Sequence, residues 1–176
     1  MDAGQETGVY RDVGTSEEGA ISGDMNNDRP SFEQVYMEFA ESISRRSTCK
    51  RLQVGTVITT TDYRKVLAIG YNGNATGLPN TCDSDEVGNC GCLHSEENAI
   101  INCDSPRHIE KYVFATHLPC VMCAKRIINL GNVQHVFYKY EYRKKDAVRI
   151  LLKARISISR IQLNGEIVQL WTFNEE

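Results

Sequence analysis

One pair of motifs constrains the fold of this 176-residue chain more than any other feature: His94-Ser95-Glu96 and Pro119-Cys120-Val121-Met122-Cys123. Side chains two positions apart on a helix point to nearly opposite faces. His94 and Glu96 can therefore reach one site only where a loop enters a helix. Cys120 and Cys123 are three positions apart and share a helix face, and Pro119 suits a helix start. The sequence thus predicts two helix N-termini that face each other.

The two motifs supply an imidazole and two thiols, which are ligands that zinc prefers. His94, Cys120 and Cys123 would leave a tetrahedral zinc ion one open position, as in catalytic sites. Zinc can acidify a water molecule there, and Glu96 can carry protons from the attacking oxygen to the leaving nitrogen. This combination is typical of zinc-dependent hydrolytic deaminases. Alone, the Cys-Xaa-Xaa-Cys pair would suit a redox pair or half of a structural zinc clip equally well.

Composition narrows the class of protein. The hydrophobic fraction of 41% and the charged fraction of 24% are ordinary for a globular protein, and the length suits one domain. The net charge of -3 and the pI of about 5.8 argue against a surface built to hold nucleic acid. The sequence has neither a secretory leader pattern nor the ~20-residue apolar stretch of a membrane span. We expect a cytoplasmic protein, in the host cytoplasm if a phage encodes it. In such a reducing compartment, the seven cysteines favour metal ligation over disulfides.

Residues 1–29 have little apolar content, so we expect a flexible tail before a single catalytic domain of residues 30–176. Hydrophobic periodicity predicts helices over Pro30–Ser44, from His94 to Ile101, over Cys120–Leu130 and over Lys144–Ala154. Alternating apolar residues predict strands over Val54–Thr60, Val66–Tyr71, Tyr112–Thr116, Val133–Tyr140 and Ile156–Leu163. The Asn164-Gly165 turn signal indicates a sixth strand, Glu166–Phe173. Strands that alternate with helices indicate an α/β domain.

Longer segments carry a more specific signal: Arg46-Ser47-Thr48-Cys49, Gln53-Val54-Gly55, Gly70-Tyr71-Asn72-Gly73, His94–Ile100, Pro119–Ile128 and Tyr138–Arg143. Over roughly Phe32–Leu163, the chain resembles deoxycytidylate (dCMP) deaminases of bacterial and phage type. The resemblance implies a three-layer α/β/α fold with a five-stranded mixed sheet, and a homohexamer. It also implies hydrolysis of dCMP to dUMP and ammonia for dTMP synthesis, regulated by dCTP and dTTP, with Mg²⁺ accompanying the effector.

The resemblance further implies roles for individual residues. Asn72 would hydrogen-bond the deoxyribose, the Ser95 backbone would hold the cytosine edge, and Glu96 would protonate N3. Ser95 stands where Ala is commoner in the family. Phosphate contacts would come from Arg51, Tyr142 and Arg143. An allosteric role would fall to Gly70, Tyr71 and Gly73. Arginine suits phosphate because its guanidinium donates two hydrogen bonds in parallel; the alternative is that these arginines are solvated surface residues.

Five cysteines lie outside the catalytic motif: Cys49, Cys82, Cys90, Cys92 and Cys103. Some phage and bacterial relatives carry a second, structural zinc near the position of Cys92. We therefore predict a closed zinc site formed by Cys49, Cys82, Cys90 and Cys92, which would fix the long loop that starts at Asn72. The alternative is that these are buried free thiols, as we expect for Cys103.

Three other functions compete with this interpretation. The first is a free nucleoside deaminase, which would accept deoxycytidine as readily as dCMP. Pro119–Ala124 also resembles the corresponding segment of tRNA adenosine deaminases, and Lys139–Arg160 is rich in basic residues that could bind RNA. Such charges are more often the solvated face of a helix. The competitor from another class is a non-catalytic zinc scaffold, in which Glu96 would have no chemical role. Substitution of Glu96 and a panel of nucleotide and tRNA substrates distinguish the three.

Overall fold

The computed structural model describes residues 29–86, 89–142, 146–162 and 164–172, so of the predicted tail it describes only Arg29. The helices in these ranges are α1 Phe32–Ser44, α2 Ser95–Ile101, α3 Val121–Leu130 and α4 Asp146–Lys153. The strands are β1 Gly55–Thr60, β2 Val66–Tyr71, β3 Lys111–His117, β4 Val133–Tyr140, β5 Ser157–Ile161 and β6 Ile167–Trp171. The hydrophobic pattern therefore predicted the order of the elements correctly.

Local sequence signals explain where two of the helices begin and end. Ser31 caps α1, because its hydroxyl oxygen accepts a hydrogen bond from the backbone N–H of Gln34 at 3.1 Å. Helix α3 starts one residue later than predicted, since Cys120 is its capping residue. Gly131 ends α3 with φ +87°, a conformation that glycine adopts without a steric penalty.

The strands form one mixed sheet in the order β2-β1-β3-β4-β5-β6. Strands β3, β4 and β5 are parallel, whereas β1 is antiparallel to both of its neighbours and β6 is antiparallel to β5. The five-stranded sheet that the resemblance implied is wrong, because β6 adds a sixth strand. The hairpin turn at Asn164-Gly165 makes this addition, and Gly165 has the positive φ of +81° that such a turn requires.

The sheet lies between helices and separates two apolar cores. On one face α1 buries Met37 and Ala40 against Phe114 and Phe137. The other face is covered by α2, α3 and α4, whose buried residues pack on Val113 and its neighbours. Adjacent residues of β3, such as Val113 and Phe114, face opposite cores, as the two-residue period of a strand requires. None of the helices described here is both long and apolar enough to cross a bilayer.

Candidate active site and metal centre

The predicted metal ligands converge at the N-terminal ends of α2 and α3. His94 immediately precedes α2, and Cys120 immediately precedes α3. The His94 Nδ1 atom lies 3.6 Å from the Cys120 Sγ and 3.3 Å from the Cys123 Sγ. The three ligand atoms all lie within 4.8 Å of one another. The two helix N-termini thus face each other, as the motif spacing predicted.

These distances fit a tetrahedral zinc ion. With zinc bonds of about 2.0–2.1 Å to nitrogen and about 2.3 Å to sulfur, neighbouring ligand atoms lie roughly 3.6–3.8 Å apart. The nitrogen-to-sulfur distances of 3.6 and 3.3 Å are close to this spacing. One imidazole and two thiols also form a donor set that suits zinc better than Mg²⁺ or Ca²⁺. In the described part of the chain, no fourth His, Cys, Asp or Glu joins this group.

Electrostatics at the helix starts favour a thiolate before any metal binds. The Cys120 sulfur accepts hydrogen bonds from Cys123, including one from its backbone N–H at 3.4 Å. The hydrogen bond from the Cys123 thiol lowers the pKa of Cys120 to about 3. For Cys123, this hydrogen bond and the burial of its thiol both raise the pKa. The hydrogen bond to Cys120 raises the pKa of His94. A bound metal ion would remove the second thiol proton.

Glu96 lies in the first turn of α2, with only 4% of its surface exposed. Burial raises the pKa of its carboxyl, since a charged carboxylate loses its hydration there. The hydroxyl of Ser95 donates a hydrogen bond to the Glu96 Oε2 at 3.1 Å. The Ser95 Oγ also lies 2.8 Å from the Oγ1 of Thr56, which is fully buried in β1. Glu96 is therefore a buried carboxyl next to the metal-ligand cluster.

The four cysteines predicted to form a second site also come together. Their sulfur atoms lie within 4.8 Å of one another. The sulfur of Cys49 is 3.7 Å from that of Cys82 and 4.0 Å from that of Cys90, and Cys82 is 3.6 Å from Cys92. Two sulfurs at the corners of a zinc tetrahedron lie about 3.8 Å apart. The set fits a closed zinc site, and Cys103 is in neither cluster.

Gly70 and Tyr71, predicted as allosteric residues, hold α2 against the sheet. A Cβ atom on Gly70 would lie 2.2 Å from the carbonyl oxygen of Ser95 and 2.4 Å from the backbone nitrogen of Ala99. Only glycine allows so close an approach. The carbonyl oxygen of Tyr71 accepts a hydrogen bond from the side chain of Asn98 at 2.8 Å. Strand β2 therefore fixes the position of the helix that carries Glu96.

The segment after β2 fixes the approach to His94. Gly73 and Leu93 pair as an antiparallel bridge, with backbone hydrogen bonds of 3.1 and 2.8 Å. Asn72 is buried, and its side chain accepts from the backbone N–H of Val54 at 2.8 Å and donates to the carbonyl of Leu52 at 2.7 Å. Since an amide has two donors and two lone pairs, Asn72 keeps one of each beyond these bonds.

The three predicted phosphate contacts differ in their surroundings. Arg51 is exposed, and its guanidinium donates hydrogen bonds to the backbone carbonyls of Asp85 and Glu86. It therefore holds the loop that carries Cys82, Cys90 and Cys92. Tyr142 is half-buried and packs against the core beneath α2, α3 and α4. Arg143 lies outside the described residues.

Sequence reasoning missed two features of the site. Thr56 looked like an ordinary β-strand residue, and its contact with Ser95 follows only from the packing of α2 on β1. The second is an ion pair of 3.1 Å between Arg126 of α3 and Glu97 of α2, which connects the two ligand-bearing helices. The hydrophobic pattern could not reveal either contact, because both join residues from different elements.

Comparison with known proteins identifies the family. The sequence profile of the cytidine and deoxycytidylate deaminase zinc-binding region matches residues 30–139, which contain both motifs. This chain belongs to that family. Among the relatives of this deaminase, ComE operon protein 2 of Bacillus subtilis is 31% identical, over 81% of this chain and 78% of that protein. Deoxycytidylate deaminase of Schizosaccharomyces pombe is 32% identical, over 73% of this chain but only 43% of that protein.

A solved structure extends the comparison to the fold. The dCMP deaminase of cyanophage S-TIM5, in complex with dCMP and dUMP, is similar to this deaminase with a TM-score of 0.67 and 32% identity. The match covers 76% of this chain and 98% of that one. The family is defined by its zinc-binding region, and the chain is accordingly a zinc-dependent hydrolytic deaminase with the mixed α/β fold of its relatives.

Proposed function

We propose that this deaminase converts dCMP to dUMP and ammonia, with Glu96 as the proton shuttle, and that its product supplies dTMP synthesis. The observation that carries the proposal is the three-ligand cluster of His94, Cys120 and Cys123 next to the buried Glu96. The similarity to the S-TIM5 enzyme in complex with dCMP and dUMP supports the choice of substrate. We assign the reaction to one catalytic domain, residues 30–176.

Residues of this chain would carry out the steps as follows. His94, Cys120 and Cys123 would hold zinc, a Lewis acid that lowers the pKa of a water molecule. Glu96 would take up a proton from the attacking water, deliver it to N3 of the cytosine ring and assist the departure of ammonia. The backbone at Ser95 would hold the cytosine edge, since the start of α2 presents backbone N–H groups without helical partners.

Substitution of Glu96 tests the assignment. Glu96→Gln should retain the fold and bound zinc but lower kcat for dCMP at least about 100-fold, because general acid–base catalysis contributes about 10²–10⁴-fold. Glu97→Gln is the matched control, since Glu97 is the next residue on α2 and forms an ion pair with Arg126 of α3. Equal turnover by Glu96→Gln and the wild type would contradict the proposed role of Glu96, whereas no turnover by either protein would favour a non-catalytic scaffold.

Recognition of the nucleotide outside the base would depend on Asn72, Arg51, Tyr142 and Arg143. Asn72 would use its remaining donor or acceptor for the deoxyribose. Arg143→Ala should lower kcat/KM for dCMP about 10- to 100-fold, the loss expected for a hydrogen bond to a charged group. Deoxycytidine lacks the phosphate, so its turnover should not change. An equal loss for both substrates would contradict the phosphate contact.

We also propose that Cys49, Cys82, Cys90 and Cys92 hold a second, structural zinc. Two observations support a closed tetrahedral site. The sulfur-to-sulfur distances are 3.6–4.0 Å, and no fifth ligand joins the four cysteines among the described residues. Metal analysis should find two zinc ions per chain in the wild type and one in Cys82→Ser. Cys103→Ser is the control and should keep two. One zinc in the wild type would leave these cysteines as free thiols.

Regulation and assembly follow from the resemblance alone, and we propose them on that basis: a homohexamer, activated or inhibited by dCTP and dTTP, with Mg²⁺ bound to the effector. The test is turnover of dCMP, deoxycytidine, dCTP and tRNA, with and without each effector and Mg²⁺, together with sedimentation. Turnover of tRNA with steep salt dependence and none of dCMP would favour a polynucleotide deaminase. Identical kinetics with and without effectors would remove the allosteric assignment, including that of Gly70, Tyr71 and Gly73.

A further inference from the structure

Three buried side chains form a continuous hydrogen-bonded chain that ends on the proposed proton shuttle. The hydroxyl of Thr56 in β1 lies 2.8 Å from that of Ser95, whose own proton goes to the Glu96 Oε2 at 3.1 Å. Thr56 and Ser95 are fully buried, and Glu96 is 4% exposed. Bulk water therefore cannot replace either hydroxyl as a hydrogen-bond partner.

The direction of the chain follows from the number of protons. A serine hydroxyl has one proton to donate, and that of Ser95 is directed to the carboxylate. The Ser95 oxygen must then accept the bond from Thr56, so Thr56 donates to Ser95 and Ser95 donates to Glu96. Thr56 is fixed by β1, which pairs with β2 on one side and β3 on the other. The carboxylate is thus connected to a rigid part of the sheet.

We propose that Thr56 and Ser95 are positioning residues that hold the Glu96 carboxylate in its reactive orientation. The terminal torsion of a glutamate has broad preferences, so burial alone does not fix where its oxygens point. The Ser95 donor on Oε2 favours one orientation of the carboxylate. Misplacement of a reacting group by an ångström lowers the rate of a step that depends on aligned atoms. This inference rests on the proposed role of Glu96 and adds two residues to it.

Four single variants test this hydrogen-bonded series of side chains. Ser95→Ala and Thr56→Val should each lower kcat about tenfold, or about 1.4 kcal/mol in the barrier, with KM within about twofold of the wild type. Thr56→Ser keeps the hydroxyl and should restore most of kcat. The matched control is Thr59→Val in the same strand, because Thr59 is also fully buried but its hydroxyl has no hydrogen-bond partner among the described residues. Its kcat should equal that of the wild type.

The double variant Ser95→Ala/Thr56→Val separates positioning from general damage to the core. If Thr56 acts through Ser95, then Thr56→Val should not lower kcat further once Ser95 has been removed. It should also raise the Tm of Ser95→Ala, since that variant leaves the Thr56 hydroxyl buried without an acceptor. Zinc content should stay at the wild-type value in every variant, which excludes a loss of metal as the cause.

Two results would overturn the inference. One is a wild-type kcat in both Ser95→Ala and Thr56→Val, and the other is an equal loss from Thr56→Val in the wild-type and Ser95→Ala backgrounds. All variants are assayed on whichever substrate of the panel the wild type deaminates. If the wild type deaminates a different substrate, the choice of dCMP is contradicted, but the test of the hydrogen bonds between Thr56, Ser95 and Glu96 is not affected. The comparison of Tm values tests the hydrogen bonds independently of turnover.

Discussion

Gly70→Ala is the substitution that most directly tests how the sheet positions the active site. The added Cβ would lie 2.2 Å from the Ser95 carbonyl oxygen and 2.4 Å from the Ala99 nitrogen, both in the backbone of α2. Contacts between a Cβ and such atoms are ordinary only from about 3.4 Å. Since backbone cannot rotate away as a side chain can, α2 would have to move by roughly 1 Å. Glu96 would move with it.

Two effects of this displacement have different sizes. Overpacking of a core costs about 1–3 kcal/mol, so Gly70→Ala should remain largely folded but have a lower Tm. A shift of about 1 Å in a catalytic group can cost about 100-fold in rate. We therefore expect kcat for dCMP to fall by much more than the folded fraction of the protein, at a temperature well below the Tm of the variant.

The assay compares kcat with the folded fraction from circular dichroism and with the zinc content of the same sample. Thr59→Val controls for a buried substitution in the neighbouring strand that removes no hydrogen bond seen among the described residues, and it should have the kcat of the wild type. Wild-type kcat in a destabilised Gly70→Ala would refute the reasoning, because it would mean that α2 does not depend on β2 for its position. An unchanged Tm would refute the steric argument itself.

Three further predictions concern stability. Lys111→Met should lower the free energy of unfolding by about 2–3 kcal/mol, because the buried ammonium donates to three backbone carbonyls. Lys65→Met, at an exposed position, should change it by less than about 0.5 kcal/mol in the same denaturant titration. His135 has a pKa lowered by burial to about 4, so its neutral form stabilises the fold fully above pH 6.5 and this contribution is lost as pH falls toward 4. As pH falls across that range, the unfolding free energy of the wild type should therefore decrease by up to about 3 kcal/mol relative to that of His135→Gln. Arg126→Ala should cost at most about 1 kcal/mol and leave the zinc content unchanged, since its ion pair with Glu97 is partly exposed.

The sequence was most informative where local rules decide the structure. The motif spacing predicted the helix starts at His94 and Cys120, because the geometry of a helix fixes which side chains can meet. Strand β4 was predicted with its observed bounds, since Val133–Tyr140 is dominated by aromatic and β-branched residues. The four-cysteine cluster was also predicted, but from the resemblance and not from any local rule.

The sequence was least informative where contacts join distant elements. The number of strands was wrong because it came from the family, whereas the Asn164-Gly165 turn in this chain indicated the extra strand. The phosphate contact of Arg51, which the resemblance implied, stays a prediction; the hydrogen bonds of its guanidinium to the carbonyls of Asp85 and Glu86 had no sign in the sequence. The allosteric role of Gly70 also stays a prediction, and its close contact with α2 was not foreseen because it depends on the packing of helix on sheet. None of these contacts has a signature within one segment.

The two cysteine-containing sites are adjacent in the chain, and this arrangement has a mechanical consequence. Cys92 is separated from His94 only by Leu93, which forms backbone hydrogen bonds with Gly73 in both directions. If zinc binds the four-cysteine cluster, the chain is fixed at Cys92 by the metal, at Leu93 by its backbone hydrogen bonds with Gly73 and at His94 by the second metal. Three consecutive residues then have little freedom, and α2 starts from a defined point. A structural zinc would in this way limit the movement of the catalytic helix without contacting the substrate.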